Sequence, residues 1–273
     1  MTAPAPAEHL IEMCKEFRTE VSPATRRWEY FRAESGKAVL LPANFAKVLF
    51  RGQTCRYTPS LSPLGRGLEP GVRRIRDLPL RSQAKLVERV ARRLWFSREM
   101  KSHPGYQWLA SQHLDSFEGA LAQHYGVPTG YMDLSESFEV ACFFATCELD
   151  TTGTWRAKEA GTGVLYMLPT DHIRIRPDGL QPIGLQVLPR PCEQFGWLVV
   201  CGIGDDFEDI PGLQMMEFSH LPEVGRFFLD KFSGGEALFP PDAAACVFQH
   251  SVRIKSNGKW SAIPVRDARS PTK

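Results

Sequence analysis

The chain has 273 residues, 43% of them hydrophobic and 23% charged, with a formal net charge of +2. These are the proportions of a soluble globular protein with enough chain for a full core, and the charge is too small to name a partner by itself. No apolar run approaches the roughly 18–20 residues of a membrane span, the N-terminus lacks the basic-then-apolar order of a secretion signal, and the seven cysteines are odd in number with no CxxC pair, so the expectation is a cytoplasmic protein with reduced thiols, no membrane contact and no metal.

Thr2 to Ala7 is a Pro/Ala tail. Leu10, Met13, Cys14 and Phe17 then recur at helical spacing, and Trp28–Phe31 continues an apolar face, so residues 1–35 are expected to form an N-terminal helical extension. Ala38–Leu41 and Val48–Phe50 are short apolar runs, and the second is the better strand because it delivers Arg51 to a glycine turn. Residues 52–81, rich in Gly, Pro and Arg, read as loop. A long helix follows from Leu80, with Leu86, Val90 and Leu94 on one face. From Arg66 to Lys101 there are eleven basic residues against four acidic ones, a local +7 in a balanced chain, which points to an anionic partner or to a solvated helix face. Trp108 to Leu121 reads as another helix, set off by Pro104-Gly105.

Residues 123–146, QHYGVPTGYMDLSESFEVACFFAT, read as loop, short strand, turn and helix. Val140, Phe143, Phe144 and Cys147 keep helical spacing, either Ser135 or Ser137 is the N-cap, and Glu136 and Glu139 complement the dipole. Further on, Gly161–Leu168 is a strand, Ile173–Ile175 and Leu185–Leu188 are weaker runs, and Gln194–Val200 reads as a buried strand. Asp205–Asp209 is an acidic loop, followed by fragments at Gln214–Phe218 and Phe227–Leu229. The body of the protein is placed at 36–262 and a polar, disordered tail at 263–273.

Taken in order, FRGQ (Phe50–Gln53), YTPSL (Tyr57–Leu61), QHYGVPT (Gln123–Thr129), MDLS (Met132–Ser135) and ACFFA (Ala141–Ala145) resemble the FRG domain family, named for its Phe-Arg-Gly motif, over about residues 50–195. That family usually carries Arg where this chain has Gly130, and commonly Trp-Thr where it has Leu134-Ser135. It looks like a divergent branch of the ADP-ribosyltransferase fold, in which an Arg or His on the first core strand, a Ser or Tyr stretch leading into a helix, and a later Glu or Gln follow one another. Arg51, Asp133-Leu134-Ser135 and Glu193-Gln194 fall in that order.

The resemblance implies an α+β fold with an ADP-ribosyltransferase-like split β-sheet core, and NAD as co-substrate. It also implies transfer of ADP-ribose to a macromolecular acceptor, RNA, DNA or protein, as in toxins and antiphage-defence effectors, where an antitoxin is a further partner. A catalytically silent nucleotide- or nucleic-acid-binding domain and an NAD glycohydrolase are the alternatives. In such a site Arg51 would grip phosphate or ribose, with Gly52 admitting the ligand closely and Gln53 and Tyr57 in support. Gln123, His124, Tyr125, Asp133 and Ser135 would complete the NAD site, with neutral His124 donating to the nicotinamide carbonyl and Tyr125 stacking on a ring. Thr129 reads as a turn residue. If residues 193–200 are extended, Gln194 shares a face with Gly196 and is the residue that meets the ligand, while Glu193 is held back as a general base.

Overall fold

The computed structural model describes residues 4–17, 26–32, 38–170 and 179–242. The expected run at Ile173–Ile175 and the C-terminal tail lie outside the described residues. A six-stranded antiparallel sheet organises the molecule, in the order β10 (Gln214–Ser219), β7 (Thr162–Pro169), β3 (Val48–Gln53), β4 (Tyr131–Ser135), β9 (Gly196–Val200) and β8 (Leu180–Pro182). Two hairpins flank it: β1 (Trp28–Arg32) with β2 (Ala38–Pro42), and β5 (Cys147–Leu149) with β6 (Trp155–Ala157). Seven α-helices complete the described α+β fold: α1 (Glu8–Glu16), α2 (Leu80–Ser102), α3 (Pro104–Ser111), α4 (Glu118–His124), α5 (Phe138–Thr146), α6 (Arg190–Glu193) and α7 (Pro222–Lys231).

The inner strands of the sheet are buried on both faces. β7 reads as a continuous apolar run because it is central: Val164, Tyr166 and Leu168 pack with Leu49, Met132, Leu134, Trp197 and Phe207 on one face. On the other face Leu165 packs with Phe50, Phe138, Phe143, Phe218 and Phe228, under α1, α5 and α7. α5 lies directly on β3. A Cβ built on Gly52 would stand 1.8 Å from the Ala141 carbonyl oxygen and 2.7 Å from the Ala145 nitrogen. Gly52 therefore serves the approach of a helix, and the expectation that it makes room for a ligand is corrected.

β3 and β7 pair along their whole length, from Val48 opposite Pro169 to Gln53 opposite Val164. β3 and β4, by contrast, pair where Phe50 faces Ser135 and nowhere else among the described residues. Beyond that point the two strands diverge, and the Arg51 guanidinium spans the opening by donating from Nη1 to the Asp133 carbonyl at 2.7 Å.

Several local expectations change. Trp28–Arg32 is a strand rather than part of a helical extension, and Arg51 lies within β3, which runs on to Gln53. The segment before His124 is two short helices rather than one, and the expected break before it falls where α2 ends, with Pro104 the first residue of α3, capped by the His103 side chain. On α2 the buried apolar side chains are Leu86, Phe96 and Met100, whereas Val90 and Leu94 are exposed. Each i, i+4 step turns about 40° around a helix, so a run of such steps leaves the buried face. No described helix is long and apolar enough to cross a membrane.

Candidate active site at the divergence of β3 and β4

Where β3 and β4 part, a cavity of about 180 Å³ opens. It is bordered by Arg51 and Gly52 from β3, Asp133 and Ser135 from β4, His124 from α4, Gln194 after α6, and an apolar wall that includes Phe50, Val140, Ala141 and Phe144. Six of the expected site residues, drawn from four separate segments of the sequence, meet at this one place.

Two hydrogen-bond chains converge on it. The first begins at Thr129, whose hydroxyl donates to Gln123 Oε1. Gln123 Nε2 donates to Asp133 Oδ2 at 3.0 Å. The second begins at the Leu238 carbonyl, which accepts from Gln194 Nε2 at 2.9 Å. Gln194 Oε1 then lies 3.0 Å from His124 Nδ1. A carbonyl only accepts, so Gln194 presents its oxygen to His124, and Nδ1 of the imidazole carries the proton. In the neutral ring Nε2 is left as a lone pair. It faces Asp133 Oδ1 across 3.9 Å, and both atoms are buried without a partner. The His124 side chain is 3% exposed. Burial lowers its pKa, an effect that Asp133 and the bond to Gln194 oppose and that nearby Arg190 reinforces, so the ring is neutral at pH 7. The expectation that His124 donates to a carbonyl is corrected: toward the cavity it accepts.

The remaining expected residues divide between cavity and scaffold. Ser135 Oγ donates to the Gln194 carbonyl at 2.7 Å and accepts from Ser137 N at 3.0 Å, which ties β4 to the turn before β9. Ser137, not Ser135, caps α5. Glu136 does not serve the helix dipole: its carboxylate pairs with Arg26 and accepts from Trp197 Nε1. Gln194 borders the cavity, but as the residue after α6 and not on a strand. Phe195 follows with φ +50°, and β9 begins only at Gly196. Strand alternation therefore does not decide between Glu193 and Gln194. Glu193 ends α6 away from the cavity lining.

Arg51 and Phe50 point to opposite faces of β3. The Arg51 guanidinium lies over Phe207, 5.8 Å from the ring centroid, on the face opposite the Asp133 carboxylate. Its Nε is buried and unpaired, and burial pulls its pKa below the usual range against the pull of Asp133. Gln53 is buried outside the cavity lining, and Tyr57 is exposed. Tyr125 is not a stacking surface: its hydroxyl donates to Asp242 and Arg190 covers its ring at 4.4 Å.

Two supports of the site carry no sequence signal of their own. Arg190, buried at 7%, donates to the His124 carbonyl at 3.3 Å. The segment Leu238–Asp242 crosses the rim, where Phe239 stacks on Trp155 and meets Phe144 edge-on. In the basic stretch, Arg89 is engaged by the carbonyls of Leu64 and Arg66, Arg92 by Glu88, Arg73 by Asp205 and Arg74 by Asp77. These four arginines of the basic stretch thus already have partners.

No curated protein and no solved structure matches the chain. The FRG domain family matches residues 46–153, which run from the approach to β3 through α5 and β5 and hold Arg51, His124 and Asp133 but not Gln194. On that match, residues 46–153 of the chain are an FRG domain.

Proposed function

We propose that the cavity between β3 and β4 binds the nicotinamide-ribose end of NAD and that the protein transfers ADP-ribose from it to a macromolecule, nucleic acid or protein. The observation that carries this reading is the pair of buried acceptors, His124 Nε2 and Asp133 Oδ1, facing each other where the sheet divides. A sheet divided between its two central strands is also what an ADP-ribosyltransferase-like core would require. Nicotinamide leaves as a neutral, weak base, so breaking its bond to ribose needs no general acid. The work left to the protein is to hold the two rings and to meet the positive charge that develops on the ribose. Asp133 is the carboxylate on the cavity wall that can do the latter.

The second reading is a silent nucleotide-binding domain. It is favoured by Ser135 and Gln194, whose side chains are spent on bonds within the protein, and by Glu193 standing off the cavity. Incubating the purified protein with NAD labelled in the adenylate, alone and with cell lysate, separates the two. Label in protein, RNA or DNA is the expected result. Label only in free ADP-ribose means water is the acceptor, and NAD bound but unchanged means the silent domain. Without NAD binding the proposal fails.

A further inference from the structure

The gap between His124 and Asp133 has a polarity, and that polarity selects a ligand. The chain through Gln194 is fixed from its outer end by the Leu238 carbonyl, and the chain through Gln123 by the Asp133 carboxylate, which accepts from Gln123 Nε2 and so turns Gln123 Oε1 to the Thr129 hydroxyl. Followed inward, each ends on a lone pair. Two acceptors 3.9 Å apart cannot satisfy each other, and a buried acceptor left alone is costly. A single atom at an ordinary hydrogen-bond distance of about 2.9 Å from each would satisfy both, provided it carries two hydrogens. A hydroxyl has one and a carboxylate has none, whereas an amino group has two, as has the water that it would displace. The neighbouring wall of Phe50, Val140, Ala141 and Phe144 is apolar and favours a flat, uncharged ring over a cation. Gly196 lies on a third side, where a Cβ would stand 3.2 Å from His124 Nε2.

We infer that the His124–Asp133 gap is a subsite for the amino group of an aromatic primary carboxamide, with one hydrogen given to His124 Nε2 and the other to Asp133 Oδ1. This rests on the NAD reading, since nicotinamide is the aromatic carboxamide that NAD carries. It goes further in assigning the group recognised and the two atoms that recognise it. It also gives the site a selectivity. The acid analogue, nicotinate, presents only acceptors and a negative charge to a lone pair and a carboxylate, and is rejected. A site built to pair a donor discriminates strongly against the analogue that lacks one.

The test is equilibrium binding to the full chain by ligand-observed NMR, with nicotinamide, benzamide, nicotinate, benzamidine and propionamide as probes. Nicotinamide and benzamide are expected to bind alike, and nicotinate at least about tenfold more weakly. Propionamide, which has the amide without the ring, is expected to be weaker than benzamide; equal binding would assign the subsite to an aliphatic side-chain amide and overturn the aromatic assignment. Benzamidine binding more tightly than benzamide would make it a cation site and overturn the proposal. Equal binding of nicotinamide and nicotinate by the wild type overturns it without any variant. In Asp133→Asn, checked for folding by a thermal melt, the preference for nicotinamide over nicotinate is expected to shrink at least severalfold, and an unchanged ratio in the folded variant rejects the role of Asp133. NAD turnover is scored separately. Amide selectivity without turnover keeps the subsite and removes the transferase reading, whereas turnover without selectivity does the reverse.

Discussion

His124 shows how one residue's surroundings set its chemistry. The sequence marks it as a site residue through the QHYG context, and the structure places it on the cavity wall, but the direction of its hydrogen bonds comes from Leu238, more than a hundred positions away. No local pattern around residue 124 contains that information. The same burial has a consequence for stability. The folded-state pKa of His124 is lowered, so below the ordinary histidine value of about 6.5 the unfolded chain binds the extra proton more readily than the folded one. Stability is therefore full above that pH and falls as pH drops below it, until the folded-state pKa is reached. The neighbours that set the size of the effect are Asp133 and Gln194, which favour the charged ring, and Arg190, which opposes it. Thermal melts between pH 8 and pH 5 are expected to show a steeper loss for the wild type than for His124→Gln. His220, also buried with a lowered pKa, contributes equally to both proteins and cancels in the comparison. Parallel curves would show that His124 is not titrating against a buried site.

At the scale of elements, the contact between β3 and α5 sets the floor of the cavity. With the Ala141 carbonyl 1.8 Å from where a Cβ would stand at Gly52, even one methyl forces the helix off the strand. Gly52→Ala is expected to cost at least about 3 kcal/mol in urea unfolding, the upper end of what overpacking usually costs. A cost below about 1 kcal/mol would mean that the helix can shift freely. The FRGQ glycine was legible in the sequence as important, but its reason was not: adjacency to Arg51 suggested a ligand, while the helix that needs the space begins 86 positions later. Strands β3, β4 and β7 and helix α5 were legible because their apolar periodicity is strong and their ends carry turn or cap residues. The face of α2 was misread because Val90 and Leu94 continue an apolar run from Leu86 that the neighbouring helices do not cover. Gln194 was expected on a strand because QFGWLVV is apolar nearly throughout, yet Phe195 at φ +50° breaks the extension and turns the amide toward His124.

At the scale of the molecule, sequence order and spatial order diverge. β3 lies between β7 and β4, and β4 lies between β3 and β9, so each central strand waits for a partner from later in the chain. The family match ends at residue 153, before β7 and β9. A fragment of residues 46–153 would leave the far edges of β3 and β4 unpaired and their apolar faces bare, which invites aggregation. It is expected to be insoluble or to lack a cooperative melt, whereas residues 4–242 are expected to melt in one transition. A stable, cooperatively unfolding 46–153 fragment would show that the family segment is a folding unit by itself. The strap at the rim carries a further consequence, which concerns synthesis. Chains fold as they emerge, N-terminal parts first. His124 and Asp133 are made early, but the Gln194 amide meets Leu238, and the Tyr125 hydroxyl meets Asp242, only when those late residues arrive. The orientation of the His124 imidazole is thus set by almost the last described residues to leave the ribosome, and a polypeptide released before them carries the FRG motifs without it.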